Sequence, residues 1–397
     1  MMRVIHWHPN FMKGSGIANA VLGLAEAQKK HGAEVAIVAV ESPETSFLES
    51  IRDRVKTNIL TWRPYWGIRL GHSLFRIPQR NSLFALRKFE PDLIHIHGEL
   101  SPDNFWVPFI FRCPIVVSPH GMLHPIVLEK SRKKIKRVYL NLAKCLLYPY
   151  VSMIHALSPI EADYIKQLLP EKPIYSLPQG PNILVWGKSS PSEELNERLP
   201  ESFKGVKFVY VGRLDVFAKG LDILVEAFAQ AVARLRGIDA SLTLIGPDWD
   251  GGRSWLERRV AELNLKDQIV FAGRRSGSEV HFFLTQADIY IQLSRYEGFS
   301  LSVVEALLSG KPAILSKDIG VVSYPEIAEL PHVSIVASLE QATNAILDCA
   351  YRLKDLKFLA KQNQQKIEDI FSWDRVAKYH LEMYEKALNA AVRASET

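Results

Sequence analysis

The sequence predicts an α/β protein made of two doubly wound domains, each with a parallel sheet covered by helices. The chain has 397 residues, more than one ordinary hydrophobic core accommodates. Short apolar runs rich in β-branched residues alternate with amphipathic segments, which is the pattern of βαβ units. Residues 178–200 interrupt this pattern with Pro, Gly, Ser and charged residues, after which it starts again.

The first predicted domain spans residues 1–180. A helix is expected from Ile17 to His31, where apolar residues recur at a spacing of about 3.6. Residues 61–78, which are rich in aromatic residues and Arg, are expected to form a loop. The expected buried strands are 3–8, 34–40, 92–97, 114–120 and 152–158.

The second predicted domain spans residues 181–372, and residues 373–397 are expected to form a separate C-terminal helix. The tail 338–392 has mostly helical periodicity. The expected strands, each followed by a helical stretch, are 207–212, 240–246, 268–273, 288–294 and 312–316.

The composition is that of an ordinary soluble globular protein, with 47% hydrophobic and 23% charged residues. The three cysteines, Cys113, Cys145 and Cys349, have no metal-ligand spacing and favour a reduced, cytoplasmic location. The opening MMRVIHWH predicts a strand rather than a signal peptide, and no apolar run approaches the ~20 residues of a membrane-spanning helix.

The net charge of +6 is unevenly distributed. Residues 1–180 hold 23 Lys and Arg against 14 Asp and Glu, whereas the remainder holds 26 against 29. A basic first half favours an anionic partner, such as nucleic acid, a phosphorylated substrate or a membrane surface. A surplus of this size is also compatible with chance.

Two motifs place cations after expected strands of the second half. Arg213 and Lys219 bracket a short loop before a helix, an arrangement that suits a phosphate or diphosphate. Arg274 and Arg275 follow the strand that Gly273 ends. For both motifs the alternative is a pair of solvated surface cations.

The stretch 294–310, SRYEGFSLSVVEALLSG, places Glu297 and Glu305 around a loop that enters a helix. One alternative is that Glu305 forms a capping box with Ser302, and that Glu297 is an exposed loop carboxylate. Together with the cations, a helix start can bind a diphosphate while the carboxylates accept hydrogen bonds from hydroxyl groups. A ligand with both kinds of group is a nucleotide sugar.

These motifs resemble those of the retaining glycosyltransferases of family 4, and the resemblance covers nearly the whole chain. It implies the GT-B fold, with two facing Rossmann-like domains and a C-terminal helix that crosses back onto the first, acceptor-side domain. It also implies hexosyl transfer from a nucleotide sugar to a saccharide or lipid-linked saccharide in polysaccharide biosynthesis. UDP-glucose or another UDP-hexose is the expected donor because of its general abundance. The segments that carry it are GRLDVFAKG, EGFSLSVVE, FAG, PDLIHIHG, SPHGM and the FSW tail.

The resemblance also implies a role for each motif residue. Arg213 and Lys219 would bind the donor diphosphate, Glu297 the donor-sugar hydroxyls and Glu305 the ribose hydroxyls. Arg274 would lie beside the base. The backbone of Gly298, Phe299, Ser300 and Leu301 would meet the phosphates.

In the first half, Gly14 and Gly16 of KGSGIAN (13–19) allow the backbone to approach an anion. The motif lacks the GxGxxG pattern of dehydrogenases, and Gly16 is the donor-binding candidate. His120 ends an expected strand, and the resemblance implies that it touches the donor sugar, although a structural histidine is the alternative. Candidates for the acceptor side are His97, Glu99 and Asp103.

The resemblance implies transfer on one face of the sugar, with the departing diphosphate helping to deprotonate the acceptor. The catalytic candidates are therefore His120, Glu297, Arg213 and Lys219. Asp248 and Asp250 form a DxD pair that can hold a divalent ion with a nucleotide. They lie in a GPDWDGG turn, where Asp and Gly are common, so neither a metal nor a cofactor is expected.

Residues 130–144 carry seven Lys and Arg. One interpretation is a helix docked on the sheet with a solvated basic face. The other is a patch for peripheral contact with an anionic inner-membrane face, near a lipid-linked acceptor. The expected apolar stripe comprises Ile135, Val138, Tyr139, Leu142 and Leu146.

Four other functions share some of these features. A nucleotide-sugar epimerase or a phosphorylase can have the same two-domain fold. A non-catalytic sugar-nucleotide sensor or nucleic-acid binder would use the basic first half. The combined motif set favours the glycosyltransferase, and nucleic acid is not expected as a partner.

Overall fold

The computed structural model describes residues 1–11, 16–40, 58–62, 64–70, 73–98, 100–129, 133–181, 205–275 and 277–396. The chain divides into two compact units. The first comprises residues 1–180 and 372–397, and the second comprises residues 181–371.

The first unit is built on a seven-stranded parallel sheet in the order β3-β2-β1-β6-β7-β8-β9. Its central strands are buried on both faces because helices cover the sheet, and most of their residues are apolar. The buried polar residues of these strands are His6, His95, His97, Ser118 and His155. The strands are β1 (Arg3–Trp7), β2 (Glu34–Val40), β3 (Asn58–Trp62), β6 (Leu93–His97), β7 (Ile115–Ser118), β8 (Val151–Ala156) and β9 (Ile174–Ser176). The helices are α1 (Gly16–Lys30), α2 (Arg80–Lys88), α3 (Val107–Ile110), α4 (Pro125–Glu129), α5 (Lys133–Leu146) and α6 (Pro159–Leu168).

A separate antiparallel pair, β4 (Pro64–Leu70) and β5 (Ser73–Pro78), occupies the segment that was expected to be a loop. That prediction is wrong. The aromatic residues of the segment favour strands, and the connection of two residues is typical of a β-hairpin.

The second unit is built on a six-stranded parallel sheet in the order β12-β11-β10-β13-β14-β15. The last strand, β15, was not predicted from the sequence, nor were β3 and β9 of the first sheet. All three are edge strands, and their partly exposed residues give no continuous apolar run. The strands are β10 (Val206–Val211), β11 (Ala240–Ile245), β12 (Ile269–Gly273), β13 (Ile289–Gln292), β14 (Ala313–Ser316) and β15 (Val333–Val336). The helices are α7 (Leu221–Val232), α8 (Gly252–Glu262), α9 (Gly277–Gln286), α10 (Leu301–Leu308), α11 (Pro325–Ala328), α12 (Leu339–Tyr351) and α13 (Leu353–Phe371).

The last helix, α14 (Trp373–Glu396), packs on the first unit. Its Met383, Tyr384 and Ala387 share a core with one face of the first sheet. The indole of Trp373 lies against Gly23 of α1 and against Gly180. The C-terminal helix therefore returns to the first domain, as the sequence predicts.

In each sheet the strand order reverses once, between β1 and β6 and between β10 and β13. The connections on either side of such a position run in opposite directions, and ligands of open α/β sheets bind there, beyond the carboxyl ends of the strands. The fold therefore directs attention to the loops that follow these strands.

Replacing Gly23 by Ala is expected to destabilise the first unit, although Ala favours helices. A Cβ at this position would lie 2.1 Å from the Trp373 ring. Overpacking of this kind costs about 1–3 kcal/mol, more than the ~1 kcal/mol that Gly→Ala contributes in a helix. Urea unfolding followed by circular dichroism should give a lower midpoint, and Trp373→Leu should partly restore it in the double variant. A higher midpoint for Gly23→Ala alone would contradict this packing.

Candidate functional site

In the second unit, the loops that follow β10 and β13 carry the predicted site residues. The two strands pair directly, with Phe208 beside Ile289. Arg213 and Lys219 lie in the first loop and Glu297 in the second. The predicted cations and the first predicted carboxylate therefore occupy the position where the sheet order reverses.

The loop before α7 is held tightly against the end of β13. The carboxylate of Asp215 accepts a hydrogen bond from the Ala218 amide at 2.9 Å, and the Asp215 carbonyl accepts one from the Lys219 amide at 3.0 Å. Gly220 has a φ of +59°, and a Cβ there would lie 1.9 Å from the Leu293 carbonyl oxygen. Only glycine permits this approach, which sets the position of Lys219.

The Lys219 ammonium forms an ion pair with the Glu297 carboxylate. The two side chains are only 14% and 23% exposed. Arg295 holds the same two loops together, because it pairs with both carboxylate oxygens of Asp222 at 2.7 and 2.6 Å and donates to the Phe217 carbonyl at 2.9 Å. A lysine has three N–H donors, so Lys219 can keep Glu297 and still bind an anion.

The start of α10 offers backbone amides to an anion. Ser300 is the residue before the helix, its side chain caps no amide, and its φ is +87°. Its hydroxyl instead donates to Gln292 at 3.0 Å, and Gln292 also accepts from Tyr290 at 2.7 Å. The first amides of a helix have no partner within it, and the helix dipole favours negative charge at this end.

The capping-box alternative for Glu305 is wrong. It requires Ser302 to precede the helix, whereas Ser300 does so and Leu301 is the first helical residue. Glu305 is therefore the fifth residue of the helix, half-buried. Phe299 is buried, with its ring edge toward Phe371 at 5.9 Å between centroids.

Of the remaining predicted cations, Arg213 and Arg274 are exposed and Arg275 is half-buried. The Arg213 guanidinium lies over the Trp249 ring at 4.3 Å. Arg274 is exposed after Gly273, whereas Arg275 pairs with Glu279 at 3.1 Å. In the DxD pair, Asp248 accepts a hydrogen bond from the Arg253 amide at 2.8 Å, so one carboxylate already has a structural role at the start of α8.

In the first unit, His120 follows β7 with a φ of +55°, an unusual conformation for a residue other than glycine. Its Nε2 lies 3.1 Å from Nδ1 of His97, and its Nδ1 lies 3.2 Å from Nε2 of Gln179. Burial lowers the pKa of His120 well below its usual value. Gly16 is the first residue of α1, and Gly14 lies outside the described residues.

Glu161 supports the His120 turn and was not predicted. Its carboxylate accepts from the amides of Gly121 at 2.5 Å and Leu157 at 2.7 Å, and burial raises its pKa to about 7. Ser158 caps the same helix by accepting from the Glu161 amide at 3.3 Å. The Ser-x-x-Glu spacing of 158–161 is the signal that would have indicated this helix start.

Two acceptor-side candidates have structural partners. Asp103 is fully buried and paired with Arg76 at 2.5 Å. His97 is buried and bonded to His6 at 2.9 Å and to His120. Both therefore support the fold of this edge, while Glu99 lies outside the described residues.

Comparison with known families accounts for both units. Residues 14–183 match the family described as Glycosyltransferase Family 4, and residues 192–329 match Glycosyl transferases group 1. The chain is a family 4 glycosyltransferase. It transfers a sugar from a nucleotide sugar, and the predicted hexosyltransferase class is confirmed.

Named relatives of this glycosyltransferase include mannosyltransferases. The GDP-mannose:cellobiosyl-diphosphopolyprenol alpha-mannosyltransferase of Xanthomonas campestris is 25% identical over 79% of this chain and 78% of that protein. The GDP-mannose-dependent alpha-mannosyltransferase of Mycobacterium tuberculosis is 25% identical over 76% and 75%. The MMP alpha-(1->4)-mannosyltransferase of Mycolicibacterium hassiacum is 29% identical over 46% of this chain, which spans only 43% of that relative.

Solved structures confirm the predicted GT-B fold class. Anabaena HepE in complex with UDP and glucose has a TM-score of 0.74 and 18% identity, over 97% of this chain and 100% of that one. Sucrose-phosphate synthase from Thermosynechococcus elongatus has a TM-score of 0.72 and 21% identity, over 98% and 100%. Within the described residues, each helix of this glycosyltransferase is too short or too polar to cross a bilayer.

Acidification is expected to destabilise the first unit steeply. Burial lowers the pKa of His6, His8 and His155 to about 4. The unfolded chain therefore binds more protons than the folded chain below a pH of about 6.5, and each such group removes up to ~1.4 kcal/mol of stability per pH unit. Burial also lowers the pKa of His95, His97, His120 and His380.

Glu161 acts in the opposite direction. Its folded pKa of about 7 exceeds its usual value of 4.5, so the folded state keeps a proton that the unfolded state loses. Its contribution therefore grows as pH falls from 7 to 4.5, but it is one group against seven histidines. The urea midpoint of the wild type, measured from pH 8 to 5, should fall mainly below pH 6.5. The midpoint of Glu161→Gln should fall more steeply than that of the wild type, because the variant lacks the opposing contribution of Glu161. A midpoint that stays constant down to pH 5 would contradict neutral burial of these histidines.

Proposed function

We propose that the protein is a retaining hexosyltransferase that uses a nucleoside-diphosphate hexose to extend a lipid-linked saccharide in polysaccharide biosynthesis. The observation that supports this most directly is the grouping of Lys219, Glu297 and the uncapped start of α10 at one point of the second sheet. Cations and helix amides suit a diphosphate, and a carboxylate suits sugar hydroxyls.

In this proposal Lys219 and Arg213 bind the diphosphate together with the amides of Phe299, Ser300 and Leu301. Glu297 accepts from donor-sugar hydroxyls, and Glu305 accepts from the ribose. Arg274 lies beside the base. Charge that develops on the leaving diphosphate is stabilised by groups already in place, so the reaction needs no divalent ion.

We propose GDP-mannose as the donor, with UDP-glucose as the second candidate. Relatives that align with about four fifths of this chain are named for GDP-mannose. The UDP-glucose prediction is supported by the structural likeness to HepE, which was solved with UDP and glucose. Both donors present the same diphosphate to Lys219.

Calorimetry with GDP-mannose, UDP-glucose and ADP-glucose, with and without EDTA, tests the donor site. One donor should bind selectively and independently of EDTA, and Glu305→Ala should weaken its binding. Lys219→Ala should lower kcat by about 10²–10³, the usual cost of removing one preorganised charge at a leaving group. Lys266→Ala is the matched control, because this exposed lysine of the second unit lies outside the site. Absence of binding by all three donors would overturn the site, and binding lost in EDTA would favour Asp248 and Asp250.

The surface of α5 supports a lipid-linked acceptor. The helix is anchored by Tyr139 and Ala143, which are buried, and the Tyr139 hydroxyl donates to the Ser101 carbonyl at 3.1 Å. The rest of the expected apolar stripe does not dock on the sheet, contrary to the first interpretation. The exposed fractions are 49% for Ile135, 60% for Val138, 47% for Leu142 and 40% for Leu146.

We propose that this face of α5 contacts an anionic membrane. At 3.6 residues per turn the four aliphatic side chains form one stripe along the helix. Lys134, Arg137 and Lys144 are exposed beside it, and Glu129 is the acidic group that pairs with Arg137. An aliphatic stripe with basic neighbours suits the boundary between acyl chains and anionic headgroups, where each basic residue contributes about 1 kcal/mol.

Sedimentation with phosphatidylglycerol vesicles tests this contact. Val138→Ser combined with Leu142→Ser should weaken binding by about 30-fold or more, because two aliphatic side chains lose their burial in the bilayer. Binding should also fall as salt rises. Phe84→Ser is the matched control, since Phe84 is an exposed apolar residue on α2. Equal sedimentation of both variants and the wild type would contradict the assignment of the membrane contact to α5.

A further inference from the structure

A continuous chain of hydrogen bonds links polar groups of the first unit from the Leu177 carbonyl to Gln179, and it passes through His120. Consecutive members lie 2.6–3.2 Å apart. The members, in order, are the Leu177 carbonyl, His155, Ser118, His95, Tyr384, Gln28, His6, His97, His120 and Gln179.

The Leu177 carbonyl sets the direction of the chain, because a carbonyl can only accept. Nε2 of His155 must donate to it, so in the neutral ring Nδ1 accepts from the Ser118 hydroxyl. The Ser118 oxygen then accepts from Nε2 of His95, whose Nδ1 accepts from the Tyr384 hydroxyl. Each step leaves one possible role for the next group.

The same logic continues to the far end. The Tyr384 oxygen accepts from the Gln28 amide nitrogen, and the Gln28 oxygen accepts from Nε2 of His6. Nδ1 of His6 therefore accepts from Nε2 of His97, and Nδ1 of His97 accepts from Nε2 of His120. Nδ1 of His120 remains as an acceptor and faces the amide nitrogen of Gln179. The opposite direction fails, because His155 would then point a lone pair at the Leu177 carbonyl.

The hydrogen bonds of this chain are also evidence against a metal ion bound by its histidines. Nitrogens of His6, His95 and His97 lie within 4.8 Å of one another, close enough for one ion. A metal would take the lone pairs on Nδ1 of these rings, which already accept hydrogen bonds from His97, Tyr384 and His120. Binding would therefore break the chain at three points.

We infer that Tyr384 and Gln28 are positioning residues, which hold His120 as a neutral imidazole with its proton on Nε2. His120 can then meet a ligand only through Nδ1, as an acceptor, in the place that Gln179 occupies. Under the proposed function, this ligand group is a hydroxyl of a sugar substrate. The hydrogen-bond chain begins at the Leu177 carbonyl, which cannot take up a proton. It therefore orients His120 and does not relay protons.

Histidine-selective ¹⁵N NMR tests the assignment directly, with His120→Gln identifying the His120 signals. Wild-type protein should show protonated Nε2 and unprotonated Nδ1 for His120 between pH 6.5 and 8. Tyr384→Phe removes the link to the Leu177 carbonyl, so a second His120 tautomer should appear. It should also lower kcat by about tenfold, while KM for the donor and binding of free nucleoside diphosphate stay within about twofold.

Tyr175→Phe is the matched control. This substitution removes a hydroxyl that contacts Lys386 of α14, the helix that also carries Tyr384. The Tyr175 hydroxyl is not part of the hydrogen-bond chain that leads to His120. A wild-type His120 protonated on Nδ1 would overturn the inference, as would a Tyr384→Phe variant that matches Tyr175→Phe in tautomer and kcat. The NMR assignment needs no donor, so failure of donor binding would remove the proposed function alone.

Discussion

Parallel strand direction is the constraint on which the rest of this structure depends. Because all strands of one sheet run in the same direction, their carboxyl ends lie at the same edge, and each connection must cross back to the other edge. The sheet interiors hold apolar side chains and neutral polar groups, and charged groups are excluded from them by the cost of desolvation. Charged and polar side chains therefore lie in the loops beyond β10 and β13, where Lys219 pairs with Glu297, and in the loops beyond β6 and β7.

The two units solve the problem of polar groups at this edge in different ways. The second unit keeps ionic groups, and it leaves the Lys219–Glu297 pair partly open to water, which limits the desolvation cost. The first unit buries imidazoles instead. A neutral imidazole can be buried when each nitrogen has a partner, and the chain from Leu177 to Gln179 provides these partners. The second unit is thus suited to a diphosphate, and the first to hydroxyl groups.

Sequence patterns predicted the elements of the fold because periodicity reports burial. The apolar runs indicated β10 and β13, and with them the loops of Lys219 and Glu297. The hairpin at 64–78 and the edge strands β3, β9 and β15 were missed, since aromatic content and partly exposed edge strands are weak signals. The partners of the buried histidines were beyond reach, because Tyr384 is 289 residues from His95. A histidine in an apolar strand shows that a polar group is buried, but not what it bonds.

The returning helix α14 connects these features. Tyr384 lies between Gln28 of α1 and His95 of β6. The donor and acceptor roles that the Leu177 carbonyl sets therefore reach His120 only through this residue of the C-terminal helix. Leu177 and Gln179, the two ends of the hydrogen-bond chain, lie two residues apart, next to Gly180 and the indole of Trp373. Because α14 fixes this segment by packing and closes the chain by hydrogen bonding, its removal would expose apolar surface and also free the tautomer of His120. This double role explains why α14, which carries none of the predicted site residues, is coupled to the orientation of His120.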